Sequence, residues 1–397
     1  MAWMSKHILT ICFFLVMCYL TVKVVPIHGE TTPHSQSQVE PKPNRQSSGP
    51  INGSHKLERV GSIADNGYDP DYGWFSVKIS LGTPQQNYSL IIDTGSRSTW
   101  VRCLFCTQGC TSDDPPYDPS KSSCQNTFKN PFTASYGDNS YAIGFWVCDT
   151  LIIDGLDSIK NFEFGCAQRI SDGNGENFVN AAGFLGLGKG DSSLVSQGGA
   201  SMKAFSYFVP ENDGGGDLQF GDKATEKSNT CTNQITSMLS GGDQEKYYID
   251  LVGISVDGNE LSVPSTEFTS GGTIIDSGTV ITRLPQVVYS ALRDAFRQYM
   301  FSYTLLDRVD ELMDTCYSLE GIESIALPEI KFHFGQENTI DVTLTKEGTI
   351  WRKDDTVSCL AFAATHSYGI IGIVQQRGFN VLYDLEGQTI GFGTNCA

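Results

Sequence analysis

Basic residues are scarce in this sequence of 397 residues, in which 27 lysines and arginines stand against 45 aspartates and glutamates. The formal net charge is −18, and no stretch concentrates lysine or arginine as a nucleic-acid-binding surface would. Long stretches rich in Ala, Glu, Lys and Leu are missing too. Short runs of Val, Ile, Phe, Tyr and Thr, separated by Gly, Asp, Asn and Pro, take their place. The short runs predict an all-β fold. The lack of basic clusters predicts no nucleic-acid partner.

Histidine is equally scarce, which narrows the possible chemistry. Of six histidines, only His333 and His366 lie beyond the first 55 residues. A serine or cysteine hydrolase needs a histidine base, and a metallohydrolase helix needs two histidines four positions apart. The chain has no His-x-x-x-His pair, and its glycine-rich segment 183–190 lacks the sequence of a phosphate loop. The sequence therefore indicates no metal and no cofactor.

The longest apolar stretch lies near the N-terminus, between Lys6 and Lys23. A membrane helix needs about 20 apolar residues, whereas a shorter run after a basic residue is typical of a signal peptide. We therefore expect residues 1–29 to form a signal peptide rather than a retained anchor, with no stable membrane association. Residues 30–68 are rich in Ser, Pro, Gln and Asn and cannot bury enough apolar surface to fold alone. They form either a propeptide or a flexible arm.

Ten of the twelve cysteines lie beyond the expected signal peptide. An even number in a secreted chain indicates disulfides. The C-x-x-C pair Cys103 and Cys106 also fits a redox or zinc motif, but it has neither a βαβ setting nor a second cysteine pair. Asn52 and Asn87 each begin an N-x-S/T sequence and are candidate glycosylation sites.

Two short motifs each occur twice in the chain, in the same order. Residues 89–96 read SLIIDTGS and residues 272–279 read GTIIDSGT, so both have two isoleucines, an aspartate, a hydroxyl residue, a glycine and another hydroxyl residue. Farther along, residues 182–188 (AGFLGLG) match residues 368–373 (YGIIGI). Two copies in the same order predict two related lobes, which we place at residues 69–228 and 229–397. We expect an irregular polar connection over 228–242, a hairpin turn at 256–259, and a helix starting at Pro285.

The repeated loops carry residues suited to acid–base chemistry. Asp93 and Asp276 would each emerge at the end of a buried strand. Facing lobes would bring the two carboxyl groups together, and such a pair shares one proton because both cannot ionise cheaply. The ionised member can take a proton from water while the protonated member polarises a carbonyl group. Four neighbours would permit the tight turns and orient the carboxylates: Gly95, Ser96, Gly278 and Thr279.

With these motifs the chain resembles the pepsin-like aspartic proteases, and among them the plant branch that includes the nepenthesins. The resemblance covers residues 72–397. Further matching segments are 80–84, 99–101, 135–138, 164–166, 381–384 and 390–392. It implies an all-β, bilobal fold with pseudo-twofold-related lobes and a few short helices. It also implies a monomeric endopeptidase, made as a zymogen and secreted to the extracellular apoplast or the vacuole, that cuts extended polypeptides at acidic pH.

The same resemblance assigns further residues. Tyr136 and Gly137 would lie on a flap that closes over the substrate, with Trp100 as the packing and hydrogen-bonding neighbour of Tyr136. The implied disulfides are Cys103–Cys106, Cys110–Cys166, Cys124–Cys148, Cys231–Cys396 and Cys316–Cys359. The spacing from Cys106 to Cys110 is one residue longer than the family pattern. Some plant proteins of this fold instead bind and inhibit glycosidases, so a non-catalytic binding protein is the alternative; the intact aspartates, glycines and flap tyrosine favour a peptidase.

Overall fold

A computed structural model describes residues 60–69, 73–124, 130–153, 156, 158–171, 181–211, 215–307, 310, 312–336 and 339–396. The predicted signal peptide, residues 30–59 and Asn52 lie outside these ranges, so the expectations for them stay predictions. Among the described residues, no helix has the length and apolar character needed to cross a membrane.

Up to residue 230, the described residues form ten strands and two α-helices. The strands are β1 (Val60–Asp69), β2 (Trp74–Leu81), β3 (Gln86–Asp93), β4 (Trp100–Arg102), β5 (Pro131–Ser135), β6 (Tyr141–Ile152), β7 (Ile159–Ser171), β8 (Gly183–Gly186), β9 (Ala204–Phe208) and β10 (Gly215–Gly221). The helices are α1 (Leu194–Gln197) and α2 (Asp222–Thr230), and short 3₁₀ turns lie at Pro119–Lys121 and Gly199–Met202.

From residue 231 onwards, the part of the chain that the structure describes has sixteen further strands and two α-helices. The strands are β11 (Thr232–Leu239), β12 (Tyr248–Ile249), β13 (Leu251–Val256), β14 (Asn259–Glu260), β15 (Thr273–Ile275), β16 (Thr282–Pro285), β17 (Thr304–Leu306), β18 (Cys316–Ser318), β19 (Ile330–Phe334), β20 (Ile340–Thr343), β21 (Ile350–Arg352), β22 (Val357–Leu360), β23 (Phe362–Thr365), β24 (Gly369–Ile371), β25 (Asn380–Asp384) and β26 (Thr389–Thr394). The helices are α3 (Ser265–Thr269) and α4 (Gln286–Tyr299), and a 3₁₀ turn lies at Ile373–Gln376.

Both lobes are built around the same group of three strands. In the first lobe β3 runs parallel to β8, and Asp93 at its end lies opposite Gly186. In the second lobe β15 runs parallel to β24, and Ile275 lies opposite Ile371. The next strand of each lobe, β4 or β16, pairs antiparallel with β8 or β24. The duplicated sequence motif therefore folds into a duplicated strand arrangement, and the predicted two-lobed, mainly β fold is confirmed.

A six-stranded antiparallel sheet joins the lobes at their base, in the order β1, β10, β9, β25, β26 and β11. Each half of the chain supplies three of these strands, and β9 pairs with β25 at the centre. On one face, the buried rings of Phe205 and Tyr383 stack with centroids 4.4 Å apart, and Tyr247 packs edge-on to Tyr383. Because the aromatic residues come from both halves, their packing fixes one lobe against the other.

The base sheet shows regular structure in segments where the sequence indicated little, while the predicted domain bounds stay predictions. Residues 60–68, assigned to a propeptide or arm, form most of β1 and pair with β10. Segment 228–242, expected to be irregular, contains the end of α2 and the whole of β11, which pairs with β26. The predicted lobe boundary after residue 228 falls inside α2. Strand β11 has many polar residues because most of its side chains are exposed, so it lacks the apolar signal of a buried strand.

Two local predictions are confirmed. Asp257 and Gly258 form the turn between β13 and β14, and both have positive φ, as a two-residue hairpin turn requires. Helix α4 follows Pro285 and buries Val288 and Leu292 along one face.

The structure corrects two of the expected disulfides. Cys103 is joined to Cys166, and Cys106 is joined to Cys110. Cys103 follows directly on β4, which runs parallel to the part of β7 that carries Cys166, so the two strands bring these buried sulfurs together. Cys106 is then left to close a short exposed loop with Cys110. The other three bonds have the expected partners: Cys124–Cys148, Cys231–Cys396 and Cys316–Cys359.

Candidate active site

Strand β3 delivers Asp93 to the cleft end of the first lobe. Ile91 and Ile92 are buried, which anchors the strand and leaves Asp93 at its end, only 3% exposed. Its carboxylate accepts a hydrogen bond from the Gly95 backbone N–H at 2.9 Å and another from the Ser96 hydroxyl. These two donors hold the carboxylate in one orientation.

Asp276 occupies the corresponding place in the second lobe, directly after β15. Its carboxylate accepts hydrogen bonds from the Gly278 backbone N–H at 2.9 Å and from the Thr279 hydroxyl at 2.8 Å. The side chain is buried, like that of Asp93. The four supporting residues singled out from the sequence therefore contact the aspartates in the same way in both lobes.

Thr94 and Ser277 tie the two loops to each other. The Thr94 N–H donates to the Ser277 hydroxyl at 3.0 Å, and the Ser277 N–H donates to the Thr94 hydroxyl at 2.9 Å. The Ser277 hydroxyl also donates to the carbonyl of Ile92 at 3.0 Å, and both side chains are fully buried. Neither residue is assigned a role of its own from the sequence. The signal was present, however, as a hydroxyl residue after the aspartate in both copies.

The two glycines show how closely the loops approach. A methyl group added to Gly95 would lie 2.7 Å from the carboxylate oxygens of Asp276, and one added to Gly278 would lie 2.3 Å from Oδ1 of Asp93. Each glycine therefore lies against the aspartate of the opposite lobe. This arrangement brings the two carboxyl groups into a single buried site.

Burial and the neighbouring carboxylate change the acidity of this site. Burial, followed by the charge of Asp276, raises the pKa of Asp93 to about 7. Hydrogen bonds from Ser96 and Gly95 and the charge of Lys246 act in the opposite direction without cancelling the increase. Asp93 therefore keeps a proton at acidic pH, where an ordinary aspartate would lose it.

Tyr136 lies on the turn of the β5–β6 hairpin, where the predicted flap would be. Its hydroxyl accepts a hydrogen bond from the Trp100 indole N–H at 2.7 Å. The rings of Tyr136 and Trp100 each pack on Phe184, with centroids 5.3 Å away. Burial, and then the nearby charge of Asp93, raise the pKa of Tyr136, which places the hairpin next to the aspartate pair. Gly137 is exposed and has open space around it.

The two remaining candidate positions lie away from this site or outside the described residues. Asn87 is exposed on β3, where its side chain accepts a hydrogen bond from the Ser80 hydroxyl at 2.7 Å. Glycosylation there stays a prediction, as it does at Asn52.

A family model described as eukaryotic aspartyl protease matches residues 74–395. The chain belongs to this family. Aspartyl protease AED1 of Arabidopsis thaliana is 32% identical over 392 residues, covering 93% of this chain and 82% of the relative. Aspartic proteinase nepenthesin-2 of Nepenthes gracilis is 30% identical over 348 residues, covering 81% of this chain and 77% of the relative. The predicted resemblance and the assignment as an aspartic-type peptidase are thus confirmed.

Solved structures with the same fold include seed proteins whose names do not call them proteases. Basic 7S globulin from soybean superposes with a TM-score of 0.66 at 19% identity, covering 85% of this chain and 97% of that chain. Conglutin gamma from lupine seeds gives the same TM-score and identity, covering 85% of this chain and 95% of that chain. At such low identity these likenesses show the fold alone.

Replacing Gly278 with alanine should reduce the kcat/KM of this aspartic protease for peptides by about a hundredfold or more. The added methyl group would overlap the Asp93 carboxylate, and displacement of a reacting group by about 1 Å costs roughly that much. Gly215→Ala is the matched control, because a methyl group there meets no atom within 4 Å. Peptide-cleavage kinetics, with circular dichroism to check the fold, provide the test. Equal activity of the two variants would show that Gly278 does not contact the reacting pair.

Proposed function

We propose that this aspartic protease hydrolyses polypeptides at acidic pH through one water molecule activated by Asp93 and Asp276. The observation that carries the proposal is the close approach of the two loops, in which each glycine lies against the opposite aspartate. The raised pKa of Asp93 supports it, since a pair that keeps one proton is the form that the reaction needs.

In the proposed reaction, the ionised carboxylate takes a proton from the water, whose oxygen attacks the carbonyl carbon of the peptide bond. The protonated carboxyl group gives its proton to the carbonyl oxygen. As the tetrahedral intermediate collapses, one of its hydroxyl groups returns a proton to the ionised carboxylate while the C=O bond re-forms and the C–N bond breaks. The amide nitrogen leaves with the proton of the other carboxyl group. The pair ends with one proton, as it began, so no covalent intermediate and no cofactor take part.

The surrounding residues would position the substrate. An extended polypeptide would lie between the lobes, with the β5–β6 hairpin above it and Tyr136 facing the aspartate pair. The Trp100 N–H donates to the Tyr136 hydroxyl, and the ring of Phe184 packs against both residues, so these contacts hold the hairpin in place. We further propose that the protease acts as a monomer after secretion. The five disulfides among the described residues support passage through an oxidising compartment.

Digestion of an unfolded protein tests the proposal. We expect the full chain, after incubation in acid, to degrade denatured globin at about pH 4 and to lose this activity well above pH 7, where the pair no longer holds its proton. A statine-type peptide inhibitor should block the cleavage. A processed protein without inhibitable cleavage at any acidic pH would instead favour the non-catalytic binding protein.

A further inference from the structure

Arg283 lies in the second lobe where Trp100 lies in the first. Each residue is the seventh after the aspartate of its lobe. Trp100 on β4 is paired with Phe184 on β8, and Arg283 on β16 is paired with Ile370 on β24. Because these strands correspond between the lobes, the twofold relation places Arg283 on the opposite side of the aspartate pair from Trp100.

The side chain of Arg283 lies on the face of β16 that points away from the core. Its neighbours Thr282 and Leu284 are fully buried in the core, and successive side chains of a strand point to opposite faces. On the equivalent face of the first lobe, the Trp100 N–H reaches the hydroxyl of Tyr136 on the hairpin. Arg283 therefore faces the space beneath the hairpin from the other side.

The charge of Arg283 has no partner within the described part of the chain. It is half-buried, and among the described residues it makes no hydrogen bond and no ion pair. A guanidinium group has five N–H donors and stays ionised in proteins, so its withdrawal from water carries a cost unless an acceptor is supplied. Trp100, at the equivalent position, has such an acceptor in Tyr136. A bound molecule that carries an acceptor could therefore replace water at Arg283.

The negative charge of Asp138 acts on the guanidinium group of Arg283. Burial lowers the pKa of Arg283, and the charge of Asp138 partly opposes that change. Asp138 lies on the hairpin turn beside Tyr136, and it forms no ion pair with Arg283. The two charges thus interact without forming an ion pair. Both β23 and β24 pair with β16. The loop between these two strands carries His366 and Tyr368.

We propose that Arg283 binds the carboxylate of an acidic substrate side chain between the hairpin turn and the second lobe, so that the protease prefers glutamate or aspartate at one position beside the cut. This inference rests on the proposed function, since it names the substrate class of the same site. Guanidinium and carboxylate groups form paired, charge-assisted hydrogen bonds that are stronger than neutral ones. The net charge of −18 repels acidic peptides in general, so a preference for one of them would report local contact rather than overall attraction.

Paired fluorogenic peptides provide the test. Each pair differs only by glutamate or glutamine at one position, and the position is moved stepwise on either side of the cut. At about pH 5.5, where a free glutamate is ionised, we expect kcat/KM to be about tenfold or more higher for glutamate at a single position. The ratio should approach one at about pH 3, where the substrate carboxyl is protonated. Arg283→Gln should abolish the preference, and Arg283→Lys should retain part of it.

Two further variants separate this role from the alternatives. Arg352→Gln removes the same charge from an exposed side chain that pairs with Asp355, and should leave the glutamate preference unchanged. Asp138→Asn should strengthen the preference, because it removes the carboxylate that competes for Arg283. If Arg283 instead held the hairpin closed through Asp138, both Asp138→Asn and Arg283→Gln would slow glutamate and glutamine peptides equally, which would overturn the proposal.

The proposed function and the role of Arg283 can be tested separately. If the protein cleaves no peptide at any pH, the proposed function is wrong, and the role of Arg283 falls with it. If it cleaves glutamate and glutamine peptides at equal rates at every position, the protease assignment stands and only the substrate preference is wrong.

Discussion

Replacing Asp93 with asparagine should reduce kcat/KM for peptide cleavage by at least about a thousandfold. General acid–base catalysis by one positioned group contributes roughly 10²- to 10⁴-fold, and asparagine can neither accept the proton of a water molecule nor share one with Asp276. The substitution preserves size and leaves the Gly95 N–H and the Ser96 hydroxyl in place, so the loop should keep its conformation. Steady-state kinetics on a fluorogenic peptide at about pH 4 give the measurement.

Asp355→Asn is the matched control for this prediction. It makes the same chemical change at a side chain that is 98% exposed, and activity should stay near that of the unmodified protein. Retention of more than about a tenth of the activity in Asp93→Asn would remove Asp93 from the reaction.

The same variant tests whether the protein processes itself in acid. If it does, N-terminal sequencing should find a cut in the unmodified chain and none in Asp93→Asn. The structure narrows the expected position of that cut. Strand β1 pairs with β10 at one edge of the base sheet, as β11 pairs with β26 at the other edge. Removal of β1 would leave β10 without its partner at this edge of the sheet. We therefore expect the cut before Val60. A cut that persists in the variant would point to another protease.

The free energy of unfolding should fall as the pH rises from about 4 to about 7, and Asp93 should contribute up to about 4 kcal/mol of that fall. Below this range the residue is protonated in both the folded and the unfolded protein. Within the range only the folded protein still holds the proton, since burial and Asp276 raise the pKa of Asp93 to about 7. Raising the pH therefore favours the unfolded chain until both states are ionised.

Chemical denaturation at several pH values checks this prediction. Asp93→Asn removes the titrating group, so its stability should depend less on pH than that of the unmodified protein. The variant should gain in relative stability towards pH 7 and show little gain at pH 4. The Asp355→Asn control should follow the curve of the unmodified protein. Parallel curves for Asp93→Asn and the unmodified protein would mean that Asp93 is not held in a desolvated pair.

The aspartate loops could be predicted from sequence because their signals are local and repeated. Two isoleucines bury the strand before each aspartate, and the glycine after it permits the close approach seen at Gly95 and Gly278. A motif of eight residues thus contains the strand, the turn and the hydrogen-bond donors. Its second copy then implied the twofold arrangement. Helix α4 was predictable for a similar reason, since its buried residues recur at the helical period.

Expectations failed where a segment depends on distant partners. Strands β1 and β11 have no apolar signature strong enough to identify them, because each lies at an edge of the base sheet and gains its place through β10 or β26. The first-lobe disulfides failed likewise. Cys103 and Cys166 are 63 residues apart in sequence, and only the parallel pairing of β4 with β7 brings them together.

The sequence by itself determined the chemistry available to this protein: two aspartates in matching loops, their supporting donors, and the two-lobed β fold that presents them. These features follow from interactions among residues close in the chain. Only the tertiary structure decided which residues of the two lobes contact each other. The exchange of hydrogen bonds between Thr94 and Ser277 and the position of Arg283 opposite the hairpin arise only when segments distant in the chain pack together. Pair contacts of that kind leave no period or motif in a single sequence, because neither partner specifies the other locally.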